Sequence, residues 1–121
     1  MTSKVPAKNV RLKRAYEPPD PADGTRILVD RSWPRGVAKA EAAIDLWMKH
    51  LAPSAELRTW FSHDPVRFAE FERRYMAELR SQREAIAELR ALARQGTVTL
   101  VYAARDEAHN DAVVLRKVLL H

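Results

Sequence analysis

The sequence predicts an α/β fold: a small, Rossmann-like three-layer domain with a short, mainly parallel sheet of about three strands and four to five helices. Three observations predict it. Residues 27–29 (Ile-Leu-Val) are an unbroken apolar run of the kind found in a strand covered on both faces. Residues 98–102 (VTLVY) are a second such run. Helical periodicity fills the stretch between them and returns after the second run, giving strand, helices, strand, helix, an order that favours parallel pairing.

Taken in order, residues 1–8 read as a loose leader and residues 9–121 as one α/β domain, a length that can bury a single core. Val10 to Tyr16 alternates, with Val10 and Leu12 on one face and Arg11 and Lys13 on the other, as a first strand does. Residues 17–24 (EPPDPADG) are dense in turn formers and make a loop. The second strand is expected over Arg26 to Asp30. The link between the two strands is too short for a crossover helix, so they either pair as a hairpin or are joined by an unusual tight connection.

Glu41 to Leu51 places Ile44, Trp47, Met48 and Leu51 at i, i+3, i+4 and i+7, which predicts an amphipathic helix ended by Pro53. Ser54 is a good N-cap for a second short helix carrying Leu57, Trp60 and Phe61. Asp64-Pro65 opens a third, with Asp as cap and Pro at the first helical position. Phe68, Phe71, Tyr75, Leu79, Ile86, Leu89 and Ala93 continue one seam as far as Gly96. Unbroken, that helix would run about 45 Å at roughly 1.5 Å per residue, against a domain diameter of about 35 Å. A bend near Arg80 to Arg83 is therefore expected, or a projecting helix 65–94 that packs on a second copy. Asn110 or Asp111 caps the last helix, which carries Val113, Val114, Leu115, Val118 and Leu119.

Composition narrows function. No apolar run approaches the roughly 18 residues of a membrane span, and no secretory segment follows Met1, so a cytoplasmic protein without a membrane partner is expected. There is no cysteine, hence no disulfide, thiolate ligand or thiol nucleophile. His50, His63, His109 and His121 show no metal spacing, and G-x-G-x-x-G, P-loop and G-x-S-x-G motifs are missing, so no metal is expected and no cofactor is indicated. The net charge is +5. Residues 1–40 hold nine Lys/Arg against four acids, while residues 41–121 hold twelve of each, so the whole excess lies in the first third.

That excess includes the most informative stretch, Asp30-Arg-Ser-Trp-Pro-Arg-Gly36, at the C-terminal end of the second strand. In parallel α/β sheets, ligands sit at that edge. If the two strands are parallel, this loop stands beside residues 102–110, and the two together form a site for a small phosphorylated or carboxylated molecule, a nucleotide among the options. Arg31 and Arg35 are a ready clamp for an anion, stiffened by Pro34. Trp33 reads equally as a stacking wall or as a plug over the sheet edge. Asp30 either orients an arginine or acts as a base. Arg105 adds charge, Asn110 sits at a helix N-terminus that welcomes anions, and Tyr102 belongs either to the ligand or to the core. His63 and His109 are the candidate acid/base residues. Asp64, committed as a cap, argues against a His63–Asp64 catalytic pair. Catalysis is left open. The pI near 9.9 keeps a nucleic-acid-binding module as an alternative, although no nucleic-acid-reading motif is present. A non-catalytic interaction domain using the long helix is another.

Four words, DGTRILVDRSWPRG (23–36), LWMKHLAPSAELRTWFSHDP (46–65), FERRYMAEL (71–79) and VTLVYAARDEAHNDAVVL (98–115), resemble the YeaO-like branch of a bacterial and archaeal domain-of-unknown-function family. The resemblance spans about residues 10–120. It implies a small Rossmann-like sheet with helices on its faces and no particular activity. The larger branch of that family carries a cysteine in the loop after the last strand. Residues 107–110 here are Glu-Ala-His-Asn, so thiol chemistry does not transfer.

Overall fold

A computed structural model describes residues 4–121. Its centre is a four-stranded, all-parallel sheet of β1 (Val10–Arg14), β2 (Thr25–Leu28), β3 (Leu46–Trp47) and β4 (Val98–Tyr102), in the order β1-β4-β2-β3. The α-helices are α1 (Lys39–Ala42), α2 (Ala55–Phe61), α3 (Phe68–Leu79), α4 (Arg83–Gln95) and α5 (Asp111–Leu120).

β4 is the middle of the sheet and is buried along its whole length. It pairs in register with β2 from Thr25↔Val98 to Leu28↔Val101, so the strands expected to be parallel neighbours are that. The hairpin alternative for the first two strands falls, because β4 stands between them. The tight connection is residues 15–24, tightened by a 3-10 turn at Pro21–Asp23 with a reciprocal capping box between Asp20 and Asp23. Gly24 follows at φ 63°, with its backbone against Thr97, where a Cβ would collide with the Thr97 carbonyl.

The sheet's two faces differ. Ile27, Val29, Val98, Leu100 and Tyr102 meet the apolar sides of α2 to α5, including Phe61, Phe71, Tyr75, Leu89 and Leu115. The apolar cluster on the opposite face is small: Ala15, Leu28 and Val101 beneath Trp33 and Ile44. Val5 joins the larger core, so the inner part of the expected leader packs against the domain; its first three residues lie outside the described ones.

Two helix expectations part company. The long seam is helical but broken at Arg80–Gln82 by a 3-10 turn, at the expected bend. This lets α3 and α4 wrap one core instead of projecting, and their seam residues Phe71, Tyr75, Leu79, Ile86, Leu89 and Ala93 are buried at home. The helix expected over Glu41 to Leu51 is not formed. Ala43 turns left-handed at φ 50° and stops α1 after one turn. Asp45 then takes the Arg26 N–H at 2.8 Å, and Leu46–Trp47 add a fourth strand to β2. Backbone pairing to an open sheet edge outweighed the weak helical period.

Candidate functional site

The C-terminal ends of β2 and β4 are joined by a side chain. Val29 N–H still donates to the Val101 carbonyl at 3.2 Å, and the next residue, Asp30, accepts the Ala103 N–H through Oδ2 at 2.8 Å. The Asp30 carbonyl takes the Trp47 indole N–H at 2.8 Å. From that anchor, residues 31–38 fold over the thin face of the sheet. Trp33 donates from Nε1 to the Val37 carbonyl at 2.7 Å and meets Trp47 edge-on, ring centroids 5.6 Å apart. Of its two readings, the plug over the sheet accounts for these contacts. Gly36, at φ 80°, turns the loop back. The Tyr16 hydroxyl donates to the Arg35 carbonyl at 3.0 Å and holds the loop from β1's side.

The opposite wall comes from α2 and α5. Ser54 caps α2, accepting the Leu57 N–H, and two left-handed residues, Ser62 and His63 (φ 48° and 54°), end it. This reversal brings His63 beside Phe61. Asp64 accepts the Val66 N–H and starts the next turn, as the sequence predicts. Asn110 caps α5, accepting from Val113 N–H at 3.0 Å and donating to the Asp106 carbonyl at 2.9 Å. That leaves Asp111, the first residue of α5, free to face Asp30, close enough that each carboxyl perturbs the other.

These walls enclose an open cavity of about 560 Å³. Asp30, Arg31, Trp33, Arg35, His63 and Asn110, all sequence candidates, line it. Residues not foreseen also line it, among them Tyr16, Arg58, Phe61, Phe71 and Asp111. The electrostatics centre on the carboxyl pair. Burial raises the Asp30 carboxyl above the ordinary range, although Asp111, the Ala103 N–H, Arg58 and His63 all pull it down. Asp111 is pushed up much further, by burial and then by the facing Asp30 charge. Two carboxyls in contact titrate as a unit.

Three candidates stand elsewhere. Tyr102 is buried in the core beneath the helices, its hydroxyl on the Asn110 side chain. Arg105 is exposed and outside the lining. His109 also lies outside it: its Nδ1 is 2.9 Å from Asp106 Oδ2, and its ring meets Phe68 edge-on at 5.1 Å. The D-x-x-H spacing was the local signal for that pairing. Asp111 was missed because it was weighed only as a helix cap. An Asp following an Asn that already caps, opposite a strand-ending Asp, was the available clue.

Among the described residues no group of three or more His, Asp or Glu side chains is placed to hold a metal, and no helix is long and apolar enough to cross a membrane. The chain is 48% identical over 110 residues to an uncharacterised protein of Mycobacterium tuberculosis, covering 91% of this chain and 92% of that one. An uncharacterised protein of Mycobacterium bovis matches with the same figures. The uncharacterised protein YeaO of Escherichia coli is 42% identical over 107 residues, covering 88% and 93%. No solved structure matches. The model described as the inactive DUF488-N3 subclade matches residues 9–121. With nearly the whole chain aligned to both, this protein belongs to that YeaO-like, domain-of-unknown-function family.

Proposed function

We propose that the protein binds a small phosphorylated or carboxylated molecule, a nucleotide among the options, in the cavity at the ends of β2 and β4. The observation that carries this reading is the convergence of Arg31, Arg35, Arg58 and His63 on one cavity at the sheet edge where α/β proteins take ligands. Its volume lies within the usual range for small-molecule sites, roughly 300–1,000 Å³. The family description, an inactive subclade, favours binding over turnover.

The disposition of the basic excess supports a local anion over a nucleic-acid surface. Lys13 and Arg26 bind the buried Asp23, Arg11 donates to the Ala22 carbonyl, and Arg14 donates to the carbonyls of Ala103 and Ala104. These cations serve the fold, whereas Arg35 is exposed at the cavity and Arg31, also exposed there, makes one long hydrogen bond, 3.5 Å, to the Pro53 carbonyl.

Titration calorimetry with inorganic phosphate, sulfate and AMP tests the reading. Millimolar or tighter binding is expected, weakened about tenfold or more in Arg35→Ala or Arg31→Ala, the scale of a charge-assisted hydrogen bond. No detectable binding, or binding indifferent to both variants, overturns it. A steep salt-dependent affinity for duplex DNA or RNA in the absence of small-anion binding would favour the nucleic-acid alternative.

A further inference from the structure

The cavity lining is chemically mixed, and a simple anion satisfies only its basic part. Arg31 and Arg35 offer donors and positive charge at the mouth. The same lining holds the Asp30–Asp111 pair, which repels an anion and asks for hydrogen-bond donors. Its oxygens can be followed individually. Asp30 Oδ2 accepts the Ala103 N–H, and Asp111 Oδ1 accepts the Ala112 N–H. The Asp111 carboxyl also accepts from its own N–H, whereas Asp30 has no backbone donor besides Ala103 among the described residues, which leaves carboxyl lone pairs for a ligand.

We infer that the ligand is a phosphorylated sugar, with its phosphate on Arg31 and Arg35 and a pair of hydroxyls on Asp30 and Asp111. The inference rests on the anion-binding reading above and goes beyond it to the substrate class. Neutral hydroxyls fit better than an ammonium group. Arg58 and His63 already line the cavity beside the pair, so an added cation would meet basic groups there. A strand-end acid that accepts from a sugar hydroxyl is also a recurrent device of nucleotide-binding α/β sheets. Asp30 and Arg35 belong to one folded loop and line one cavity, so a single small ligand can touch both. The exposed Tyr16 ring stands at the same rim, with the Arg14 guanidinium 5.2 Å from its centroid, and is placed to stack on a base if the sugar is part of a nucleotide.

Titration calorimetry at neutral pH decides it, with inorganic phosphate, ribose 5-phosphate, AMP, O-phosphoserine and ribose as probes. Ribose 5-phosphate is expected to bind about tenfold or more tighter than phosphate, as two added hydrogen bonds to carboxyl groups allow. In Asp111→Asn and, separately, Asp30→Asn, that ratio should collapse while phosphate itself still binds. Asn110 supplies the α5 cap, so neither substitution removes it. AMP binding tighter than ribose 5-phosphate assigns the sugar to a nucleotide; equal or weaker AMP binding assigns it to a free sugar phosphate. Both support the inference. Ribose 5-phosphate no better than phosphate, a preference for O-phosphoserine, or a ratio untouched by both variants overturns it, yet leaves the anion-binding reading standing. Failure of every probe removes both.

Discussion

Asp23 and Asp30 flank the same strand, β2, one at each end, and their surroundings are opposite. Asp23 is fully buried yet surrounded by cations: Arg26 Nη1 at 2.6 Å, Lys13 Nζ at 3.1 Å and Arg11 Nη1 at 3.7 Å. Burial pushes its carboxyl up, but the Asp20 N–H, Lys13 and Arg26 outweigh that and hold it below the ordinary range. Asp30 is half-buried and faces another acid, and both carboxyls are raised. The first end of the strand is compensated and serves folding. The second is left frustrated, a condition proteins sustain chiefly where a ligand completes it.

The largest effect should come from breaking the compensated end. Asp23→Ala strands the buried Arg26, which then keeps only its hydrogen bonds to the Ala42 carbonyl. Removing one partner of a buried ion pair costs roughly 3–5 kcal/mol, a large part of a total of about 5–15 kcal/mol. Urea denaturation should show it, and a loss under about 1 kcal/mol would refute the structural role assigned to Asp23. The pH dependence has a definite sign. A carboxyl lowered on folding adds stability above its unfolded pKa, and that stability drains as pH falls through the folded value. The wild type should therefore weaken on acidification below about pH 4, and Asp23→Asn should flatten that limb.

Next comes the backbone beside Asp23. Gly24→Ala places a Cβ into the Thr97 carbonyl at a positive φ, so both strain and overlap oppose it. A loss of roughly 1–3 kcal/mol is expected, read as a lower thermal midpoint.

The contrast between the strand ends also shows what was legible in the sequence. The parallel pairing of residues 25–28 with 98–101 followed from two apolar runs separated by helices, and with it the meeting of loops 30–36 and 102–110. Asp30, Arg31 and Arg35 were therefore placed at that edge by topology, whereas His63 was a candidate on its residue type alone. Asp23 was hidden, because a lone Asp in a PADG turn gives no hint that Lys13, ten residues back, and Arg26 will close on it. Asp111 was hidden for the same reason at longer range, eighty-one residues from its partner. The strand Leu46–Trp47 was illegible because both residues are largely exposed, so a real strand carried no alternation. Local chemistry such as the Ser54, Asp64 and Asn110 caps was readable; pairings made only by the fold were not.

At the frustrated end the sign reverses. Asp111→Asn keeps the shape and removes the charge. A carboxyl raised on folding costs the native state increasing stability as pH climbs above its unfolded pKa, so the variant should gain on the wild type from about pH 4 upward and match it below. A gain of about 0.5–2 kcal/mol near neutrality is the scale seen when a functional site is relieved. A loss at neutral pH would instead make the pair a structural element like Asp23.

The smallest effect on stability separates site from scaffold most sharply. Arg58 is exposed on α2, and its influence on Asp30 is long-range attraction across the cavity. Arg58→Ala should leave stability within about 0.5 kcal/mol. It should also raise the Asp30 titration, because a cation favours the ionised form and its removal favours the proton. Carboxyl carbon NMR of the variant and the wild type reads this directly. If Arg58 were a scaffold residue, its loss would appear in the unfolding midpoint. If it tunes the carboxyl pair, the loss appears only in the titration and in ligand affinity, which is the behaviour that distinguishes the C-terminal end of β2 from the end anchored by Asp23.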